Sequence, residues 1–386
     1  MNPHKYIQAF PSLNMRKLFV RHNHVDPIFA HCRTRFYASG RAALFHAVKS
    51  LQLPPGIMIM LPAYNCGVEV EAVIRAGYNV DFYRITNDLD ISIDNIAARI
   101  TSHTAGIVVP HYFGFPQDIL KLKELCSKKN IVVIEDCAHA LYSRNANGTW
   151  LGTAGDLGLF SMRKTVSMPN GGAVLVNRKG FVVPDKGKHN WHVSIIKQTI
   201  KSILENEKCR DGSTSALSNR ALAFYQHYIS RPEGSEERDV GEDERWYYDV
   251  PSLDYESDIS AVSLLCSGKE DSGEIIARRR RNYQFLKNIL DSYCVNEYVF
   301  PKLPDGTCPL CLPLFADQRD AVAARMTARG VDPYVFGRHP HPLVRRNEFP
   351  ELKFLTGSII GLPVHQGLNE EDMETVAEVF IRSRER

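Results

Sequence analysis

The chain has 386 residues, with 47 lysines and arginines against 44 aspartates and glutamates, so its formal net charge is +3. The apolar fraction of 44% and the charged fraction of 24% are typical of an ordinary soluble globular protein. This small charge excess disfavours a surface dedicated to nucleic acid. The length predicts two or three domains, or a large domain with a smaller one.

Cysteine content and apolar runs predict the compartment. Nine cysteines, an odd and scattered set, fit a reducing cytoplasm better than a disulfide framework. Cys308 and Cys311 form a CxxC pair, but no second pair stands at zinc-ribbon spacing, so no metal site is predicted. Residues 1–19 lack the apolar core of a secretory signal, and no run of about 18 apolar residues predicts a membrane helix. We therefore expect a cytoplasmic protein with no membrane partner.

The first predicted helix begins at a small residue followed by glycine. Residues 1–30 form an irregular arm broken by prolines, and the helix then starts at Ser39 and Gly40 and stops before Pro54. Such a start leaves backbone N–H groups and the positive end of the helix dipole free, which favours an anion. A plain N-cap on a packing helix is the alternative.

Strand and helix patterns alternate from Met58 to Asp136, which predicts a doubly wound parallel sheet. Val132 to Ile134 form an apolar, β-branched run that ends at Glu135 and Asp136. Parallel strands buried on both faces have this composition, and open sheets bind ligands at the carboxyl ends of their strands. Asp136 is thus predicted at the ligand-binding edge.

A lysine follows on the next predicted strand end. Lys164 lies before the pair Gly171 and Gly172, which allows the backbone to turn closely into another strand. A carboxylate and a lysine on neighbouring strand ends suit pyridoxal phosphate, with a Schiff-base lysine and an acid on the pyridinium nitrogen. The adjacent Arg163 is expected to lower the pKa of the lysine. Ser161 and the turn of Ser39, Gly40 and Arg41 are predicted to hold the phosphate, with Arg41 either pairing with it or facing solvent.

The pattern changes after residue 176. Helices are predicted over 194–204 and 215–229, followed by a polar, mobile loop at 231–245. One or two long helices broken near 268–273 then lead to alternating strands and helices. Arg278 to Arg281 lie in the long helical pattern and indicate a solvated helix face with one or two packing arginines. The predicted divisions are an arm at 1–30, a large domain at 31–250, and bridging helices with a small α/β domain at 251–386.

Five segments of the chain carry a combined pattern: SGRAAL, VVPHYFGFPQD, VVIEDCAHAL, GDLGLFSMRKTVSMPNGGAVLV and LPVHQGLNEEDM. Together they resemble the DegT/StrS-type sugar aminotransferases, which are pyridoxal-phosphate enzymes of fold type I. The resemblance covers residues 35–177 closely and the last third of the chain more loosely.

The resemblance implies a mostly parallel central sheet in a large domain plus a smaller C-terminal α/β domain. It implies that Lys164 is the Schiff-base lysine, that Asp136 pairs with the pyridine nitrogen, and that His139 lies near the 3-hydroxyl of the cofactor. It also implies a homodimer whose active sites are shared between subunits. The implied reaction moves an amino group from a donor, typically glutamate, to a nucleotide-linked keto sugar.

Several residues depart from the family pattern. Cys66 stands where an aromatic residue usually stacks on the cofactor ring, so Cys66 and Tyr64 are both candidates for contacting it. Arg41 replaces a threonine, and Lys164 follows Ser161 at a shorter spacing than is common. Two alternatives follow: a pyridoxamine-phosphate-dependent deoxysugar dehydratase, against which Lys164 argues, and a catalytically altered homologue serving as a regulator or scaffold.

Overall fold

The computed structural model describes residues 6–13, 19, 24–30, 33–54, 56–183, 199–200, 202–204 and 253–385. Much of the predicted arm and of the helix at 194–204, and all of the helix at 215–229 and the loop at 231–245, lie outside the described residues. The division of the chain into domains stays a prediction.

Seven strands form the central sheet. Their spatial order is β1-β7-β6-β5-β4-β2-β3. The four pairings from β6 through β5, β4 and β2 to β3 are parallel, while β7 runs antiparallel to both β6 and β1. The strands are β1 (Arg33–Tyr37), β2 (Met58–Pro62), β3 (Asn79–Tyr83), β4 (Thr104–Pro110), β5 (Val132–Asp136), β6 (Leu157–Ser161) and β7 (Gly172–Val176).

Helices follow the strands of the sheet, as the alternating pattern predicts. They are α1 (Gly40–Lys49), α2 (Val68–Arg75), α3 (Ile93–Arg99) and α4 (Ile119–Ser127). Ser39 caps α1 by accepting a hydrogen bond from the Ala42 N–H at 3.2 Å. The apolar spacing of α4 predicts that Leu120 faces inward, but it is 55% exposed, because the helix turns Ile119 and Leu122 toward the sheet instead.

The C-terminal part contains a two-stranded antiparallel sheet and the predicted long helices. The break predicted near 268–273 lies between α6 and α7. Asn369 and Asp372 form a capping box at the start of the last helix. The elements are α5 (Leu253–Glu256), α6 (Ala261–Ser267), α7 (Ser272–Ser292), β8 (Cys311–Phe315), α8 (Arg319–Ala328), α9 (Leu352–Ser358), β9 (Ile359–Pro363) and α10 (Glu370–Arg384).

One large hydrophobic core joins the sheet to the C-terminal elements. It includes Ile107 and Val133 of the sheet, Leu286 of α7, and Leu312 and Ile360 of the small sheet. Burial of such side chains stabilises the fold by roughly 25 cal/mol per Å² of apolar surface. This shared core fixes the segment after β8 against the carboxyl ends of the parallel strands. In the described part of the chain, no helix is long and apolar enough to cross a membrane.

Candidate active site

A cavity of about 310 Å³ opens at the carboxyl ends of the parallel strands, facing the segment 334–339. All of the predicted cofactor-binding residues except Tyr64 line it. These are Ser39, Gly40, Arg41, Cys66, Asp136, His139, Ser161 and Lys164.

The structure does not bring Tyr64 to the cavity. Its side chain is fully buried, and its hydroxyl donates to the backbone oxygen of Phe336 at 3.0 Å. Its ring packs against Tyr112 and Phe336. Tyr64 therefore supports the cavity wall from behind, whereas Cys66, two residues further on, lines the cavity.

The turn at Ser39 and Gly40 lies tightly against the neighbouring strand ends. A Cβ atom on Gly40 would lie 3.1 Å from the Cβ of Ser161, and one on Gly172 would lie 2.2 Å from the backbone oxygen of Ser39. Only glycine fits at 172 without moving the turn. The glycines thus hold the amino end of α1 open toward the cavity, where its N–H groups can bind an anion.

An unpartnered cationic group lies at the same end of the cavity. The Nη1 atom of Arg41 is buried and has no hydrogen-bond partner among the described residues. A buried guanidinium N–H without a partner is costly, and a phosphate oxygen is a strong acceptor for it. The residues present therefore fit the phosphate of pyridoxal phosphate, and the replacement of threonine by Arg41 adds a positive charge to this end.

Asp136 ends β5, and its Oδ1 accepts a hydrogen bond from the Ala138 N–H at 2.9 Å. Burial, followed by the charge of Glu69, raises the pKa of Asp136 from 3.8 to about 6. A protonated ring nitrogen next to this carboxyl would favour its ionised form. The position suits the predicted pairing with the pyridine nitrogen.

Lys164 lies in a short 3-10 turn, Met162–Lys164, directly after β6. Burial lowers the pKa of its amine, and the charge of Arg163 acts in the same direction, as predicted from the sequence. Its Nζ lies 3.3 Å from the hydroxyl of Tyr334. A lowered pKa raises the fraction of neutral amine, which is the form that acts as a nucleophile or base.

His139 lies between the two sides of the cavity. Its Nδ1 accepts a hydrogen bond from the Phe113 N–H at 3.4 Å, and its Nε2 lies 2.9 Å from the hydroxyl of Tyr334. Its ring stacks on that of Phe113 with centroids 5.6 Å apart. Burial lowers the pKa of His139 well below its usual value, so the imidazole is neutral near pH 7.

Sequence reasoning missed Tyr334 and Glu69. Tyr334 lies outside the five segments that carry the resemblance, and its place in the site depends on contacts with residues far away in the chain. Glu69 lies in the first turn of α2, and its carboxylate accepts from both the backbone N–H and the thiol of Cys66, at 3.1 and 2.7 Å. Burial and this carboxylate raise the pKa of Cys66 well above its usual value, so the thiol is neutral.

Arg279 is the third missed residue. It is 1% exposed and lies in the arginine run of α7. Its five N–H donors all have acceptors: the oxygens of Lys164, Thr165, Pro309, Leu310 and the Gln366 side chain. Arg279 therefore connects the turn that carries the lysine to two C-terminal segments.

A cluster of His111, Glu135 and Cys137 has the composition of a metal site. The Nδ1 of His111 accepts the Gln117 N–H, so its Nε2 carries the proton and donates to Glu135 at 3.0 Å. Glu135 also accepts three backbone N–H groups from the loop at 152–155. These bonds use the lone pairs that a cation would need, so the cluster anchors this loop.

Three features on a mostly parallel sheet define pyridoxal-phosphate enzymes of fold type I. They are a phosphate cradle at the amino end of a helix, an acid at a strand tip and a lysine in the next turn. Residues 31–181 match the model of the DegT/DnrJ/EryC1/StrS aminotransferase family. The matched part of the chain holds the acid, the lysine and the phosphate turn. The predicted enzyme class, a pyridoxal-phosphate-dependent aminotransferase, and its predicted cofactor are confirmed.

Relatives with similar sequences carry related names. Over 381 residues the chain is 26% identical to dTDP-4-dehydro-2,3,6-trideoxy-D-glucose 4-aminotransferase of Saccharopolyspora spinosa, covering 95% of this chain and 87% of that protein. Over 177 residues it is 32% identical to GDP-perosamine synthase of Escherichia coli O157:H7, covering 45% of each. The second alignment is restricted to less than half of either protein.

Solved structures share the fold over the whole chain. A putative sugar aminotransferase of Streptococcus pneumoniae in its PLP form has a TM-score of 0.68 and 16% identity, covering 100% of this chain and 99% of that one. Helicobacter pylori PseC, an aminotransferase involved in the biosynthesis of pseudoaminic acid, has a TM-score of 0.67 and 14% identity, covering 99% of this chain and 100% of that one. The predicted fold class is confirmed.

Arg41→Met should weaken pyridoxal phosphate binding about tenfold, because one charge-assisted hydrogen bond to the phosphate is lost. The melting temperature of the cofactor-free protein should stay the same or rise, since Nη1 has no described partner to lose. Fluorescence titration measures the binding, and Lys49→Met at the other end of α1 is the control. An unchanged affinity would place the phosphate elsewhere.

Asp136→Asn should raise the melting temperature of the cofactor-free protein at pH 8 and leave it unchanged at pH 4. The folded pKa lies above the unfolded one, so the folded protein holds this proton more tightly and loses stability as the pH rises from about 4 to about 6. The asparagine has no charge to bury. Thermal melts across this pH range measure the effect, and equal melting temperatures at pH 8 would contradict it.

Arg279→Lys should lower the free energy of unfolding by about 2–3 kcal/mol, because an ammonium group has fewer donors and leaves buried carbonyls unpaired. Urea unfolding of the cofactor-free protein measures the change. Arg281→Lys, an exposed residue two positions along the same helix, is the control and should change stability by less than about 0.5 kcal/mol. Equal effects of the two substitutions would refute the role of Arg279.

Proposed function

We propose that this enzyme transfers an amino group from an amino-acid donor, glutamate, to a keto sugar linked to a nucleotide, in the biosynthesis of a glycan or a natural product. The observation that carries the proposal is one cavity lined by Lys164, Asp136 and the phosphate turn at Ser39 and Gly40. The names of the relatives support the substrate class, since they describe nucleotide-linked sugars in two bacterial species.

The cofactor supplies an aldehyde that exchanges amino groups and a ring that withdraws electrons from the adjacent carbon. In this proposal Asp136 holds a proton on the ring nitrogen through its negative charge. Ser39, Gly40, Arg41 and Ser161 bind the phosphate and fix the orientation of the ring. His139, neutral and held by Phe113 and Tyr334, lines the cavity with its ring.

Lys164 is the residue proposed to move the proton. Its neutral amine would accept the proton from the substrate carbon that bears the nitrogen, hold it at Nζ, and release it on the other side of that nitrogen. The short turn at Met162–Lys164, fixed by Arg279 from outside the cavity, keeps the amine near one position while it does so. Segment 334–339 lies across the cavity and limits the access of water.

The proposal includes a homodimer with shared active sites and a cytoplasmic location. The family resemblance supports the dimer, and light scattering on the purified chain measures it. The cytoplasmic location is supported by the free state of the described cysteines, which a reducing compartment maintains.

One alternative function has an observation in its favour. Cys66 and Glu69 place a thiol and a carboxylate where an aromatic ring is usual for the family, which is compatible with a homologue that binds the cofactor without turning over a donor. Lys164 argues against the dehydratase alternative, because its amine faces the cavity.

The purified protein should be yellow, and borohydride should remove the colour and fix the cofactor on Lys164, as peptide mass spectrometry would show. In a separate sample that has not been reduced, glutamate should bleach the yellow band, and a nucleotide-linked keto sugar should restore it. A panel of such sugars and simple keto acids identifies the acceptor class.

The two hypotheses differ in this experiment. A yellow protein that no amino donor bleaches would favour the regulator or scaffold, and a colourless protein that takes up no pyridoxal phosphate would refute the proposal. Lys164→Ala provides the control: it should still bind the cofactor without covalent trapping and without amino transfer. Retained turnover by this variant would exclude Lys164 as the proton carrier.

A further inference from the structure

The hydroxyl of Tyr334 lies between two groups of the cavity. It is 3.3 Å from the Nζ of Lys164 and 2.9 Å from the Nε2 of His139. The ring of Tyr334 also lies under the lysine, with Nζ 5.6 Å from its centroid. These three side chains form a connected polar group on the large-domain and C-terminal walls of the cavity.

The backbone and ring of Tyr334 are both fixed. Its N–H and C=O exchange hydrogen bonds with Gly361 of β9, each at 2.8 Å. Its ring packs edge-on against Phe10, with centroids 4.9 Å apart. A Cβ atom on Gly361 would lie 3.3 Å from the Cβ of Tyr334, so the two strands approach closely here. The hydroxyl is therefore presented from a well-packed support.

The direction of the hydrogen bonds follows from the histidine. Because Nδ1 of His139 accepts the Phe113 N–H, the proton of the neutral ring is on Nε2, which donates to the oxygen of Tyr334. The tyrosine O–H is then free to donate to the lone pair of a neutral Lys164 amine. When the amine is protonated, it donates to the same oxygen instead. That oxygen then accepts two hydrogen bonds, and the tyrosine O–H has no acceptor among these three side chains, so only the neutral amine satisfies the group fully.

We propose that Tyr334 is a positioning residue that holds the amine of Lys164 and favours its neutral form by donating a hydrogen bond to it. This inference rests on the proposed function, in which Lys164 acts as a neutral amine. The proton that Lys164 takes up stays on the lysine, because the tyrosine only reorients its O–H. No proton is passed to His139.

Charged groups on the other elements oppose this effect or add to it. The charges of Asp136 and Glu69, and that of Cys66 were its thiol ionised, favour the ammonium form of Lys164, whereas burial and Arg163 favour the amine. Burial also raises the pKa of Tyr334 well above its usual value, so the hydroxyl keeps its proton as a donor. A donor aimed at the lone pair offsets the two nearby carboxylates.

The test measures the reactivity of Lys164 in the full-length chain after hydroxylamine has removed any cofactor. Trace labelling with acetic anhydride between pH 6 and pH 10, read by mass spectrometry of the Lys164 peptide, gives the pKa of the amine. Tyr334→Phe should raise this pKa by about 0.5–1 pH unit, a three- to tenfold loss of neutral amine at pH 7. Tyr283→Phe, which removes another buried hydroxyl, bonded to the oxygen of Phe300, should not change it.

A second substitution should shift the pKa of Lys164 in the opposite direction. Site-specific replacement of Tyr334 by 3-fluorotyrosine keeps the shape and makes the hydroxyl a stronger donor, so the pKa of Lys164 should fall. Circular dichroism and melting temperature confirm that each variant is folded. A Lys164 profile that both substitutions leave unchanged would overturn the inference.

The measurement separates the inference from the proposed function. Labelling of the cofactor-free chain requires no donor, acceptor or turnover. If glutamate fails to bleach the yellow enzyme, the proposed function fails while the Lys164 profile can still shift with Tyr334. If transfer occurs and the profile does not shift, only the role of Tyr334 is refuted.

Discussion

The buried guanidinium of Arg279 is the constraint on which the site depends. It is a cation without a carboxylate partner among the contacts that bind it, so its desolvation is offset only by hydrogen bonds. Its five acceptors belong to three separate segments: the lysine turn, the strand entry at Pro309 and Leu310, and Gln366. All three segments must be docked before every N–H group of the Arg279 guanidinium has an acceptor. The position of the turn that carries the reactive lysine is therefore coupled to the docking of the two C-terminal segments.

The buried carboxylate of Glu135 likewise connects separate segments, on the face of β5 opposite to Asp136. Side chains of successive strand residues point to opposite faces, so Glu135 and Asp136 face different surroundings. Glu135 accepts bonds from His111 and from three backbone N–H groups, and these bonds lower its pKa although burial acts to raise it. Asp136 has one such bond, and its pKa rises. The two neighbouring carboxyls therefore differ in role because they accept different numbers of hydrogen bonds. Glu135 stabilises the structure, and Asp136 is left for the chemistry of the site.

The predictable part of the site is the part encoded locally. The strand that ends at Asp136, the helix that begins after Ser39 and the turn with Lys164 each follow from patterns within a few residues, and the structure places all three at one cavity. Tyr334 reaches Lys164 across 170 residues of chain, so no local pattern indicates it. Arg279 illustrates the same limit: the arginine run predicted one or two packing residues, but only the path of the other segments determines which arginine is buried.

The replacement of an aromatic residue by Cys66 changes how the cavity is built. A thiol and the Glu69 carboxylate bonded to it give that wall a small, polar surface. Aromatic side chains still line the cavity, but Phe10, Tyr334 and Phe336 come from segments at the two ends of the chain. Those segments are held by the bridge between Ile7 and Val331 and by the bonds between Tyr334 and β9. The aromatic wall therefore depends on the same docking of the C-terminal part that Arg279 fixes, which couples the shape of the cavity to the position of its lysine.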